Sequence, residues 1–232
     1  MQSSYIPWKG WFDLAASVDE LILLDDVQYT RRDWRNRNRI KTAHGPRWLT
    51  IPVHSKGRYL QRIDEVEVSE ADWRARHWRA LQASYAHAPC FGFAARALEA
   101  TYLGSEEPRL SEINRELIDA VCALLGIDTT ISRSRDYEAP GRSTERLVRL
   151  CQAAGADEYL SGPTARAYLD ERAFESAGIA LRWMDYSDYP DYPQLHPPFE
   201  HKVSVLDLLF NVGARAPAYM LHARARAGAV HA

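Results

Sequence analysis

Two rhythms of apolar residues alternate along the chain. Short apolar runs closed by turn residues are interleaved with longer stretches whose apolar positions return every three or four residues. Glu20 to Leu24 predicts the first clear strand, ending in Asp25-Asp26, and Trp11 to Val18 ahead of it predicts a short helix. Trp48 to Val53 reads as extended, and Ile63 to Val68 alternates like a half-buried strand, with Lys56-Gly57-Arg58 as a turn between them. Trp73, His77, Trp78, Leu81 and Tyr85 share one face of a helix over Glu70 to Tyr85. A second amphipathic helix covers Ser111 to Leu125, with Ser111 a candidate cap and Gly126 a candidate stop, before an extended Ile127 to Ser132.

The second half repeats the alternation. Helix Ser143 to Ala154, strand Glu158 to Leu160, helix Ala165 to Ser176 and strand Ile179 to Met184 are joined by short Gly connections. Asp185 to Pro198, rich in Tyr and Pro, predicts an irregular surface loop, and Val203 to Phe210 a last amphipathic helix. Helices alternating with strands predict an α/β fold: one domain over residues 1–232, a largely parallel sheet with flanking helices, in a Rossmann-like or nucleotidylyltransferase-like three-layer arrangement.

Composition narrows the setting. The hydrophobic share of 46% suffices for a core, and a net charge of −2 gives no global attraction to nucleic acid or an anionic membrane. Three widely spaced cysteines, Cys90, Cys122 and Cys151, fit neither a disulfide framework nor a zinc site, so buried thiols in a reducing cytoplasm are expected. No apolar run is long enough for a membrane span, and residues 1–10 lack the pattern of a signal peptide. Eight histidines show no metal-ligand spacing, and no metal site is expected.

The chemistry concentrates between Leu24 and Lys41. Asp25 and Asp26 sit at the carboxyl end of a strand, the edge where open α/β sheets bind ligands, and are candidate catalytic groups. Gln28 and Tyr29 follow, and then six cationic side chains within eleven residues: Arg31, Arg32, Arg35, Arg37, Arg39 and Lys41, interspersed with Asp33, Trp34, Asn36 and Asn38. Guanidinium groups at this density suit phosphate or carboxylate. The structural alternative is that the Asp pair anchors the loop on Arg31 and Arg32, and that Arg35, Arg37 and Arg39 form the solvent face of a strand with Asn36 and Asn38 turned the other way.

These residues carry a family resemblance. Gln2-Ser3-Ser4-Tyr5-Ile6-Pro7-Trp8-Lys9-Gly10-Trp11-Phe12 resembles the opening signature of the WbqC-like protein family. Asp25-Asp26-Val27-Gln28-Tyr29 with Arg31-Arg32-Asp33-Trp34-Arg35-Asn36-Arg37 resembles its second. Trp48 to Val53, His77-Trp78, Ser143 to Leu147, Tyr159 to Pro163 and Phe199-Glu200-His201 extend the likeness over nearly the whole chain. The resemblance implies a place among bacterial surface-polysaccharide (O-antigen) genes and a glycine- or acyl-transfer role. Family members usually open with a few apolar residues and often a His before the Gln; here Met1 stands at that place, and the expectation is a late start with a first strand ahead of it.

Several further positions are candidates for binding. Gln2, Tyr5, Pro7 and Trp8 lie in a strand-to-helix turn whose N–H groups would face an anion. Ser143 to Arg146 opens a helix, where Ser and Thr cap or, with Thr144 and Arg146, receive phosphate. Ser161 ends a strand at a ligand-facing turn, though not in a G-x-S-x-G elbow. His201 with Glu200 is a candidate general base, and Trp34, Tyr29, Tyr186, Tyr189 and Tyr192 are candidate stacking surfaces. The expected function is transfer of an aminoacyl or acyl group to a sugar or nucleotide-sugar, with acyl-CoA, an ATP/Mg-derived aminoacyl-adenylate or aminoacyl-tRNA as donor. Mg-dependent nucleotidyl transfer and a non-catalytic glycan- or nucleotide-sugar-binding scaffold are the alternatives.

Overall fold

The computed structural model describes residues 1–221. Helix α1 (Lys9–Ala16) leads into β1 (Glu20–Leu23), and an antiparallel hairpin follows, β2 (Arg37–Thr42) with β3 (Gly45–Thr50). Three helices come next, α2 (Trp73–Tyr85), α3 (Phe91–Gly104) and α4 (Leu110–Leu125), then β4 (Thr130–Arg133) and α5 (Ser143–Ala153). A β5–α6–β6 crossover (Glu158–Ser161, Glu171–Ser176, Ala180–Trp183) and α7 (Val205–Val212) follow. The fold is mixed α/β. Among the described residues the strands form three separate pairs: β1 with β4 and β5 with β6, both parallel, and the hairpin. A groove of about 470 Å³ lies between β1 and β5, lined also by α5 and by Met1, whose backbone pairs with Ile22 and Leu24.

The core explains the elements. The stripe Trp73, His77, Trp78, Leu81 and Tyr85 is buried, as is the α4 stripe from Leu110 to Leu125, and Gly126 ends α4 in the left-handed conformation (φ 67°). A smaller cluster of Val148, Cys151, Ala165, Leu169, Phe174 and Ile179 packs α5 and α6 against the second parallel pair. Cys122 and Cys151 are buried thiols, both pushed up by burial.

The structure corrects several expectations. Ile63 to Val68 is not a strand: Ile63–Glu65 is a short 3-10 helix, because the fully buried positions Ile63 and Val66 are three residues apart, not two. The helix expected over Ala165 to Ser176 splits into a 3-10 turn (Pro163–Ala167) and α6, which Asp170 caps by accepting from the Arg172 N–H at 3.1 Å. Ser111 and Ser143 do not cap their helices; those cap positions fall at Arg109 and Arg142, and the hydroxyl of Thr144 accepts from the Asp170 N–H instead. Helix α3 was not expected at all. The sheet is less parallel than expected, since the Arg-rich segment belongs to the antiparallel hairpin.

One buried chain of hydrogen bonds makes stability depend on pH. The Tyr5 hydroxyl lies 2.6 Å from that of Tyr102 and 2.7 Å from His77 Nδ1, while His77 Nε2 lies 3.2 Å from the Thr50 carbonyl. Thr50 can only accept, so Nε2 carries the proton and Nδ1 accepts from Tyr5. A second proton has no place, and burial lowers the His77 pKa to about 4. The unfolded chain therefore protonates first. This contribution to stability is complete above the ordinary value of 6.5 and is lost as pH falls toward 4, by up to roughly 3 kcal/mol. Urea unfolding at pH 7 and pH 4.5 should show the loss, and His77→Gln should remove this part of it.

Candidate functional site

The N-terminal segment is held in a strained path by the hairpin. Tyr5 N–H donates to the Trp34 carbonyl at 3.0 Å, and Val205 N–H to that of Pro7 at 2.9 Å. Between them Ile6 has φ 36°, a left-handed conformation that a β-branched residue rarely adopts. Asn38 imposes it: its amide donates to the carbonyls of Tyr5 at 3.2 Å and Ile6 at 2.8 Å. Trp8 follows in extended backbone and enters α1, its indole lying over Gly10.

The Tyr-Pro loop is fastened on the other side. Tyr189 donates to Asp13 at 2.6 Å, and the buried Lys9 reaches the Pro190 carbonyl at 3.1 Å. Burial pulls the Lys9 pKa down to about 8. Tyr192 and Gln194 donate to Asp207 at 2.6 and 2.7 Å.

A cavity of about 650 Å³ opens where these pieces meet. Trp8, Trp11, Trp34, Tyr186 and Tyr189 give it aromatic walls. Trp8 meets Tyr186 edge-on at 5.1 Å and Tyr189 at 5.8 Å. Its charged lining is mostly cationic, with Arg35, Arg39 and Lys202 against Asp188, and His201 lies beside them. Trp11 Nε1, Arg35 Nε and Arg39 Nε are buried donors without a hydrogen-bond partner. His201 Nε2 lies 3.0 Å from Asp191, and its Nδ1 has no partner.

The residues singled out by sequence do not converge on one place. Pro7, Trp8, Trp34, Arg35 and His201 line the cavity, and Tyr5 and Asn36 lie buried behind it. Asn36 donates to the Ile51 carbonyl, and Asp33 accepts from the Trp34 N–H. Asp25 and Asp26 point elsewhere. Asp25 accepts from the Ser3 N–H at 2.8 Å, and burial still raises its pKa. For Asp26 burial opposes ionisation, but the Arg146 guanidinium and the Ser134 hydroxyl outweigh it and hold the carboxyl below its usual range. Arg146 is thus the partner of Asp26, not Arg31 or Arg32.

Ser161 is buried on the β1–β5 groove, and Thr144 is tied to Asp170. Gln28 binds the Tyr59 carbonyl, Arg31 and Arg32 are exposed in a turn, and Arg37 stacks on Trp48. Gln2 is half-buried, and Glu200 accepts from the Lys202 N–H. Lys202, Asp188 and Asp191 were missed; only their nearness in sequence to His201 and the Tyr-rich loop pointed to them. Among the described residues no group of three His, Cys, Asp or Glu side chains is placed to hold a metal, and no helix is long and apolar enough to cross a membrane.

Fold and site define a mixed α/β protein whose cavity is assembled from both ends of its described chain. The chain belongs to the WbqC-like protein family, whose model matches residues 2–219. It is 53% identical over 224 residues to "Uncharacterized protein Rv1507c" of Mycobacterium tuberculosis (strain ATCC 25618 / H37Rv), with 97% of each chain covered. No solved structure matches it.

Proposed function

We propose that this protein is a group transferase that moves an aminoacyl group, such as glycyl, or an acyl group onto a sugar or related acceptor seated in the Trp8–Tyr186 cavity. The lining of that cavity carries the reading. Aromatic planes offer faces to a sugar or base, and the guanidinium groups of Arg35 and Arg39 suit phosphate or carboxylate oxygens. A Rossmann-like or nucleotidylyltransferase-like layering belongs to the same proposal, supported by the β5–α6–β6 crossover.

His201 is the base in this reading, because both oxygens of Asp26 are engaged by Ser134 and Arg146. Asp191 holds Nε2–H, leaving Nδ1 basic. Nδ1 is buried without a partner; with the half-exposed ring turned to bring it to the bound acceptor, it takes the proton of the amine or hydroxyl as that nitrogen or oxygen bonds to the acyl carbon. The C–O or C–S bond to the donor breaks, and the proton passes to the leaving oxygen or sulfur.

A thermal-shift panel tests the proposal, with UDP-sugars, acyl-CoA, ATP, CTP and tRNA, each with and without Mg²⁺. A ligand at about a hundred times its Kd adds about 2.7 kcal/mol, so the expected rise is roughly 5–10 °C for a chain of this size. His201→Ala should keep the shift and lose turnover. A shift with ATP and Mg²⁺ accompanied by pyrophosphate release would replace this reading by nucleotidyl transfer. A scaffold role is favoured by one observation, that the Asp pair is satisfied inside the protein; ligand binding without turnover for any donor would select it.

A further inference from the structure

The outer face of the hairpin carries a second arrangement. Trp34 and Trp48 are 43% and 42% exposed, with ring centroids 5.3 Å apart. The Arg37 guanidinium lies 4.3 Å from the Trp48 ring, and that of Arg39, which faces Trp48 across the two strands, lies 5.8 Å away. Arg31 and Arg32 are exposed in the turn that leads into the hairpin. The sole acid between residues 31 and 50 is Asp33, which is engaged by the Trp34 N–H and by Arg35.

An ordinary solvated strand face would balance such cations with Glu or Asp and bury its indoles. Here two large rings stay half in water, next to guanidinium groups that no carboxylate neutralises. Arg37 spends one Nη2–H on the Arg32 carbonyl and keeps its Nη1 edge for phosphate, and an exposed indole offers a flat face to a base. Net charge over the whole chain is −2, so the positive field is local to this face.

We propose that this face binds single-stranded RNA, with bases on Trp34 and Trp48 and phosphates on the surrounding arginines. A duplex would leave the indoles without partners, because its base faces are already stacked. Trp34 and Arg39 also line the cavity, so a strand bound on the hairpin leads into it. The destination of the RNA end rests on the transferase reading; binding to the hairpin does not.

The test is fluorescence anisotropy with a short fluorescein-labelled oligouridylate and the full chain, with duplex RNA and heparin as competitors. The expected result is binding that weakens with salt, with a log–log slope of about −0.7 for each phosphate engaged. Trp48→Ala should weaken it about tenfold. Arg37→Gln, which removes the guanidinium stacked on Trp48, should reduce the slope by about one phosphate contact. Neither residue lines the cavity, so thermal shifts by small ligands should persist in both variants. No binding of the single strand would overturn the proposal. So would equal competition by duplex RNA, or by heparin with Trp48→Ala without effect, which would make the face a merely basic surface. RNA binding retained while every cavity ligand fails would sink the transferase reading alone.

Discussion

Replacing Asp207 by alanine should destabilise the protein by about 3–5 kcal/mol, as expected for breaking a buried charged network. Its carboxylate is buried at the third position of α7 and accepts three hydrogen bonds: from Tyr85 at 2.9 Å, Tyr192 at 2.6 Å and Gln194 at 2.7 Å. Alanine would strand the Tyr85 and Tyr192 hydroxyls away from water, while Gln194 would keep the Glu200 carbonyl. Tyr85 also accepts from the Lys41 N–H at 2.8 Å, so the loss reaches β2. Tyr192 and Gln194 are the fastenings of the Tyr-Pro loop, so the wall formed by Tyr186 and Tyr189 should loosen with them. A fall in melting point on the order of 10 °C is expected. Asp207→Asn keeps one acceptor oxygen and should lose less; equal losses for the two variants would show that packing, not hydrogen bonding, holds the loop.

The second large effect is expected at Gly10. A Cβ placed there would lie 2.3 Å from Trp8 Cζ2, well inside contact distance. Gly10→Ala therefore has to displace the indole or the start of α1. The backbone there is buried, and overpacking of this kind costs about 1–3 kcal/mol. Function should suffer more than stability, because the displaced ring is a wall of the cavity. Any ligand that raises the melting point of the parent should bind at least about tenfold more weakly to the variant, a penalty of about 1.4 kcal/mol. Unchanged ligand shifts would separate Trp8 from binding altogether.

Local patterns were the legible part of this protein. The alternation of Asn36, Asn38 and the arginines announced the two faces of a strand, and the Asn side is indeed buried while Arg37 and Arg39 are half-exposed. The stripes of α2 and α4 and the Gly126 stop were equally plain. Helix α3 was not, because its buried residues Ala94, Leu98 and Tyr102 sit among Ala, Gly and Phe that fit several states. Long-range partnerships left no trace in local pattern. The Asp25-Asp26 motif announced chemistry, yet the partner of Asp26 is Arg146, 120 residues away. Pro7, Trp8, Trp34 and His201 were each visible as candidates, but only the folded chain puts them around one cavity.

The Asn38 clamp has a consequence for how this chain can change length. Side-chain direction alternates at each residue of a strand, so one inserted or deleted residue just ahead of Asn38 would turn its amide outward and an arginine inward. Ile6 would lose the bonds that hold its left-handed backbone, and Trp8 would lose its place with them. The segment from Trp34 to Asn38 should therefore tolerate substitution far better than insertion. The exposed loop of residues 55–60 should accept added residues with little effect on the cavity.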